Sequence, residues 1–195
     1  MVIGIIGESG AGKSTATSFF QTKGAFVISA DLIVKYVYNL PETKEKIVKK
    51  FGENFLNQND DTVNLLALRK YAFENYEFLV KLEEIIWPEM KKIIVREVNQ
   101  HKKERLVILD CAVLFNANLD YLVDKVLLLK SNHELQIKRI KDRDHVSDSD
   151  ADSLLNLQKN HLILDKKVDY IVNNNNSLEN FIDDLKKIYQ ELINK

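Results

Sequence analysis

Gly7-Glu8-Ser9-Gly10-Ala11-Gly12-Lys13-Ser14 fits the pattern G-x-x-x-x-G-K-[ST] and follows directly on the apolar run Val2-Ile3-Gly4-Ile5-Ile6. A glycine-rich turn between a strand and a helix aims several backbone N–H groups at one point. The helix N-terminus favours an anion at that same point. The implied ligand is the phosphate chain of a nucleoside triphosphate, with Gly10, Ala11, Gly12, Lys13, Ser14 and Thr15 as the candidate binding residues. Gly7, Gly10 and Gly12 supply backbone freedom. Lys13 offers a mobile positive charge to the outer phosphates, and the Ser14 hydroxyl is placed to ligate the Mg²⁺ that accompanies them. Glycine, lysine and serine do fall together by chance in such turns. Here the strand-like run before the motif and the helical pattern after it, Ser14 to Lys23 with Ala16, Phe19 and Phe20 on one side, argue for a genuine phosphate loop.

Working outward, 195 residues suffice for one substantial core with an inserted lobe and are short for two independent domains. The 28 Lys and Arg balance 29 Asp and Glu to a net charge of -1, which removes the global basic field that drives nonspecific nucleic-acid binding. A single cysteine, Cys111, cannot build a disulfide framework, and beside an apolar run it reads as a buried thiol in a reducing compartment. The sequence opens on its first strand without a basic leader, and no apolar run approaches the length of a membrane span. A cytoplasmic protein is expected, a monomer first and a weak oligomer second, with a small-molecule partner and neither nucleic acid nor membrane.

Further strands follow the first. Ala25 to Ser29 is a short apolar run leading through Ala30 into Asp31, and Arg105 to Leu109 leads into Asp110. In open α/β sheets the ligand crevice lies at the carboxyl ends of the strands. Asp31 is therefore a candidate catalytic acid, with N-capping of a helix from Leu32 as its ordinary alternative duty. Asp110 is a candidate for orienting Mg²⁺. Asp124 to Leu129 and Val168 to Val172 complete a set of five strands separated by helices, which implies an α/β fold with a doubly wound parallel sheet. From Leu32 to Gln100 the period is helical, interrupted by Pro41, by the polar loop Asn57 to Asp61 and by Pro88, where a kink or break is expected. The core is expected over about 1–31, 104–138 and 159–195, a helical substrate lobe over about 32–103 and a small lid over about 139–158. In the lid Arg139 and Arg143, four residues apart, share a helix face. They read either as a solvated pair bonded to Asp142 or Asp144 or as guanidinium groups brought over the triphosphate. The run Asn173 to Asn176 reads first as a turn, with side-chain amides able to contact a purine. Ser177 caps a closing helix. His101, His133, His145 and His161 lack metal-ligand spacing.

Taken together the chain resembles the dephospho-coenzyme A kinase family. Besides the loop, the resemblance is carried by Ser29-Ala30-Asp31, Phe51-Gly52, Leu82 to Pro88, Asp110 to Phe115, Gln136 with Arg139 and Arg143, Gln158, and Asp169 with Asn173. It implies transfer of the γ-phosphoryl of ATP, with Mg²⁺, to the ribose 3′-hydroxyl of dephospho-CoA, the last step of coenzyme A synthesis. It implies also that Asp31 accepts or orients the hydroxyl proton, that Arg139 lies on adenine, and that Arg143 reaches the phosphates beside Lys13. The chain departs from the family pattern at Ser29, Asn64, Trp87, Ala112 and Asn116, mostly on the acceptor side. An Arg expected near Asn64 has Arg69 as its nearest equivalent. A kinase for another small acceptor and a nucleotide-binding protein without catalysis remain the alternative readings.

Overall fold

The computed structural model describes residues 1–60, 62–164, 166 and 168–194, so Asp61 of the expected polar loop and Asp165, Lys167 and Lys195 of the expected core lie outside them. The described chain divides into two compact units, Met1–Ser29 with Glu97–Lys195, and Ala30–Arg96.

The first unit is built on a five-stranded parallel sheet. Its strands are β1 (Val2–Ile6), β2 (Phe26–Ser29), β3 (Val107–Asp110), β4 (Lys125–Lys130) and β5 (Tyr170–Asn173), in the order β2-β3-β1-β4-β5. β1 sits at the centre because it has no polar side chain to present to water, and every one of its residues is buried. The edge strands β2 and β5 have a single buried residue each. On one face Ile3, Ile5, Ile108, Leu127, Leu129 and Val172 form a core with Phe19, Phe20, Phe181 and Leu185. Those rings and that leucine come from α1 (Lys13–Thr22) and α8 (Leu178–Ile193). The alternate strand residues Val107, Leu109, Val126 and Leu128 are buried too, as a sheet covered on both faces requires. Ser177 caps α8 as expected, accepting the Asn180 N–H at 3.2 Å. Leu178, the first residue of α8, is 65% exposed, while Phe181, Leu185, Ile188 and Leu192 form its buried side.

β1 pairs with β3 on one side and β4 on the other, so the chain's winding changes direction at β1. In such sheets that is where ligands bind, beyond the carboxyl ends of the strands, and the glycine-rich loop leaves β1 at this point.

The second unit holds α2 (Ala30–Tyr38), α3 (Pro41–Phe51), α4 (Leu65–Glu74) and most of α5 (Tyr76–His101). Pro41 opens α3 at its first turn, where a missing N–H costs nothing. Phe51, Phe55, Tyr71 and Phe78 pack as an aromatic cluster with ring centroids 4.2 to 6.2 Å apart. Two expectations are corrected here. α5 runs through Pro88 without a break, held on either side by buried Ile86, Met90 and Ile94. α2 starts at Ala30, so Asp31 lies inside its first turn and is not its N-cap. Among the described residues no helix is long and apolar enough to cross a membrane.

Candidate active site

The loop between β1 and α1 has an unusual property: each carbonyl from Gly7 to Ala11 accepts a side-chain hydrogen bond. Lys13 Nζ donates to Gly7 O at 2.8 Å and to Glu8 O at 3.2 Å. Gln136 Nε2 donates to Ser9 O at 3.0 Å, and Arg139 to Gly10 O at 2.9 Å. Asn174 Nδ2 donates to Ala11 O at 3.1 Å. Across a planar trans peptide the carbonyl and the following N–H point in opposite directions. The Ser9 N–H goes to Gln158 and the Ala11 N–H to Glu8 O, while the Gly12 N–H points away from the Ala11 carbonyl that Asn174 holds. α1 begins at Lys13, and the first-turn amides of an α-helix have no acceptor within the helix, so the same side carries the helix's partial positive charge. The result is a cradle for an anion.

Two glycines make this path possible. Gly10 has φ +74° and would place a Cβ 2.8 Å from Gln136 Cα, while Gly12 has φ +106° and would place one 2.4 Å from Asn174 Nδ2. Both angles and both approaches exclude a side chain.

The loop is held from two helices that overlap the expected lid without matching its bounds, since Gln136 falls in the stretch expected as core. α6 (His133–Asp144) carries Gln136 and Arg139, and α7 (Asp148–His161) carries Gln158, whose Oε1 accepts the Ser9 N–H at 2.8 Å. Gln136, only 3% exposed, also donates to Glu8 Oε2 at 3.1 Å. Arg139 makes four bonds, to Gly10 O, to Ser131 Oγ at 3.0 Å, and to Asn174 O and Oδ1 at 3.0 and 3.2 Å. Partial burial draws its guanidinium pKa below the ordinary arginine value. Arg143, one turn further along α6, instead forms a bidentate pair with Asp144 at 2.8 and 2.7 Å and is exposed. His145 then closes α6 in the left-handed conformation, φ 54°.

The remaining candidates are placed as follows. Lys13 is half-buried, Ser14 is exposed and Thr15 is half-buried in the first turn of α1. Asp110 ends β3 in register with Ile5 of β1 on one side and Ser29 of β2 on the other. Asp31 is exposed, two residues beyond Ser29. Asn173 is exposed at the end of β5, in register with Lys130. The amide that reaches the loop is that of its neighbour Asn174, which sequence reasoning passed over along with Ser131. Along β5 Ile171 and Asn173 are exposed and Val172 is buried, and the alternation carries on to Asn174, which turns inward.

Two departures from the family pattern have structural partners. Asn64 caps α4 through the Ala67 N–H at 2.9 Å. Asn116 donates to His161 O at 2.7 Å and accepts from Ile163 N–H at 3.0 Å, tying the segment after β3 to the end of α7. Two histidines have partners as well: His101 stacks on Phe26 at 3.5 Å, and His133 bonds Asp152 at 2.6 Å.

Comparison with known proteins adds to this geometry. A family model described as Dephospho-CoA kinase matches residues 1–180. A dephospho-CoA kinase of Fusobacterium nucleatum is 30% identical, covering 98% of each chain. One from Listeria monocytogenes is 34% identical, over 91% of this chain and 90% of its own. Among solved structures, the dephospho-CoA kinase from Campylobacter jejuni superposes with a TM-score of 0.61 at 25% identity, covering 98% of this chain and 96% of its own.

Proposed function

This chain belongs to the dephospho-CoA kinase family, and from that membership we propose that it transfers the γ-phosphoryl of ATP to the ribose 3′-hydroxyl of dephospho-CoA, giving coenzyme A and ADP. The observation that supports the donor side is the loop from Gly7 to Ala11 with every carbonyl held by a side chain at the start of α1. The family carries the acceptor. The alternative readings, another acceptor or lost catalysis, draw no support from the relatives.

In this reading Lys13 exchanges the carbonyls of Gly7 and Glu8 for oxygens of the outer phosphates, while the amides of Gly10 to Thr15 hold the rest of the chain. Arg139 and Asn173 serve the adenine end. Ser14 and Asp110 offer a hydroxyl and a carboxylate oxygen, hard donors that fit Mg²⁺, an ion that takes its other ligands from water and phosphate. When bound, Mg²⁺ neutralises part of the phosphate charge.

Asp31 accepts or orients the proton of the acceptor hydroxyl as its oxygen bonds to the γ-phosphorus and the bond to the ADP oxygen breaks. Arg143 leaves Asp144 and reaches the transferred group. That separation costs little, because exposed ion pairs are worth about 0–1 kcal/mol. Catalysis is then chiefly positioning and charge stabilisation, as phosphoryl transfer requires. The protein is assigned as a cytoplasmic monomer.

Asp31→Asn tests the acceptor half. It should lower kcat by roughly 10²–10⁴-fold, the usual worth of a positioned acid or base, with ATP affinity unchanged. Turnover equal to wild type would remove Asp31 from the reaction.

A further inference from the structure

Asn174 has no part in the reaction steps given above, although it touches the loop and the arginine that they rely on. It is one of four buried polar residues among those described, 7% exposed, at the first position beyond β5. Its hydrogen bonds converge on the nucleotide loop and its support. Its Nδ2 donates to Ala11 O at 3.1 Å, and its Oδ1 accepts from Arg139 at 3.2 Å. Its backbone oxygen accepts from Arg139 at 3.0 Å and from Ser131 Oγ at 2.9 Å, and its N–H donates to Lys130 O at 2.7 Å. The side chain also fills the space that a Cβ on Gly12 would take.

We propose that Asn174 is a positioning residue for the nucleotide: one amide fixes the Ala11 carbonyl of the phosphate loop and the Arg139 guanidinium together. The chemistry follows from the two ends of the amide. The Nδ2 end turns the Ala11–Gly12 peptide so that the Gly12 N–H points away from Asn174, toward the phosphate side of the loop. The Oδ1 end, with Asn174 O, Ser131 Oγ and Gly10 O, occupies the in-plane donors of Arg139. A guanidinium held by its edge keeps its flat face for stacking on an aromatic base. The phosphate cradle and the base platform are thereby set by a single side chain, and the nucleotide meets both without reordering either. An aspartate would keep the acceptor end and lose the donor, placing a carboxylate oxygen against Ala11 O.

This rests on the nucleotide reading of the loop and not on the identity of the acceptor. The test uses the full chain with Asn174→Ala and Asn174→Asp, measuring the ATP dissociation constant by calorimetry, KM for each substrate and the melting temperature without ligand. Each variant should bind ATP at least about 10-fold more weakly, the consequence of losing one buried hydrogen bond in the site. KM for dephospho-CoA should stay within about twofold of wild type. Asn174→Asp should be the worse of the two, although it is the closer in shape. ATP affinity within about twofold of wild type, equal losses for both substrates, or failure of both variants to fold would overturn the positioning role. A wild-type protein that binds ATP but does not turn over dephospho-CoA would count against the proposed acceptor, while the ATP affinities of the variants would still decide the role of Asn174.

Discussion

Gly12 shows how narrowly the loop is specified at the level of single residues. An alanine there must adopt φ near +106° and push its methyl into Asn174 Nδ2 at 2.4 Å and the Phe181 ring at 3.2 Å. The left-handed conformation alone costs about 1–2 kcal/mol in a non-glycine residue. Gly12→Ala should therefore lower the melting temperature by several degrees and abolish measurable ATP binding, checked by thermal denaturation with and without ATP. Arg143→Ala should behave differently. Its side chain is exposed and pairs with half-buried Asp144, so the melting temperature should change far less than for Gly12→Ala while kcat falls at least about 10²-fold, as loss of a charge-stabilising arginine does in phosphoryl transfer. At this scale a motif fixes the spacing of Lys13 and Ser14, and both stand in the first turn of α1, at the head of the helical pattern after the loop. The sequence was not legible in the run Asn173 to Asn176, because four identical residues carry no local mark of which one turns inward. The pairing of β5 with β4 decides that.

Elements were easier to read than single contacts. The apolar runs of β1, β3 and β4 are long enough and free enough of charge to mark central parallel strands, and all three are central. Of the kink or break expected at Pro88, the break does not occur: a proline removes one helical bond and strains a turn, whereas α5 is a 26-residue helix with buried side chains on both sides of it. Asp31 misled by a smaller margin. A strand ending in an acid resembles a strand followed by a cap, but here β2 passes directly into α2 at Ala30. The cap on α8 offers a clean test. Ser177→Ala removes the acceptor for Asn180 N–H and should destabilise the protein by about 1 kcal/mol with ATP affinity intact. A loss of ATP binding in that variant would mean that α8 supports the loop more directly than its packing indicates.

At the scale of the whole molecule, charge and fold point to a small-ligand enzyme. A net charge of -1 provides no long-range attraction for a polyanion, so in the proposed function ATP is recognised locally, by the loop at the end of β1. Binding there ties the loop, α6, α7 and β5 to one ligand. ATP at about 100 times its dissociation constant should add about 2.7 kcal/mol to stability by mass action, read as a rise in melting temperature. The reaction itself is the most direct test. Purified protein should be incubated with ATP, Mg²⁺ and dephospho-CoA, alongside a panel of nucleosides as competing acceptors, and the products identified by mass and by the position of the new phosphate. The account predicts coenzyme A, phosphorylated at the ribose 3′ position, with one ADP released per product. No turnover of dephospho-CoA at high enzyme concentration, or a nucleoside phosphorylated in preference to it, would contradict the account.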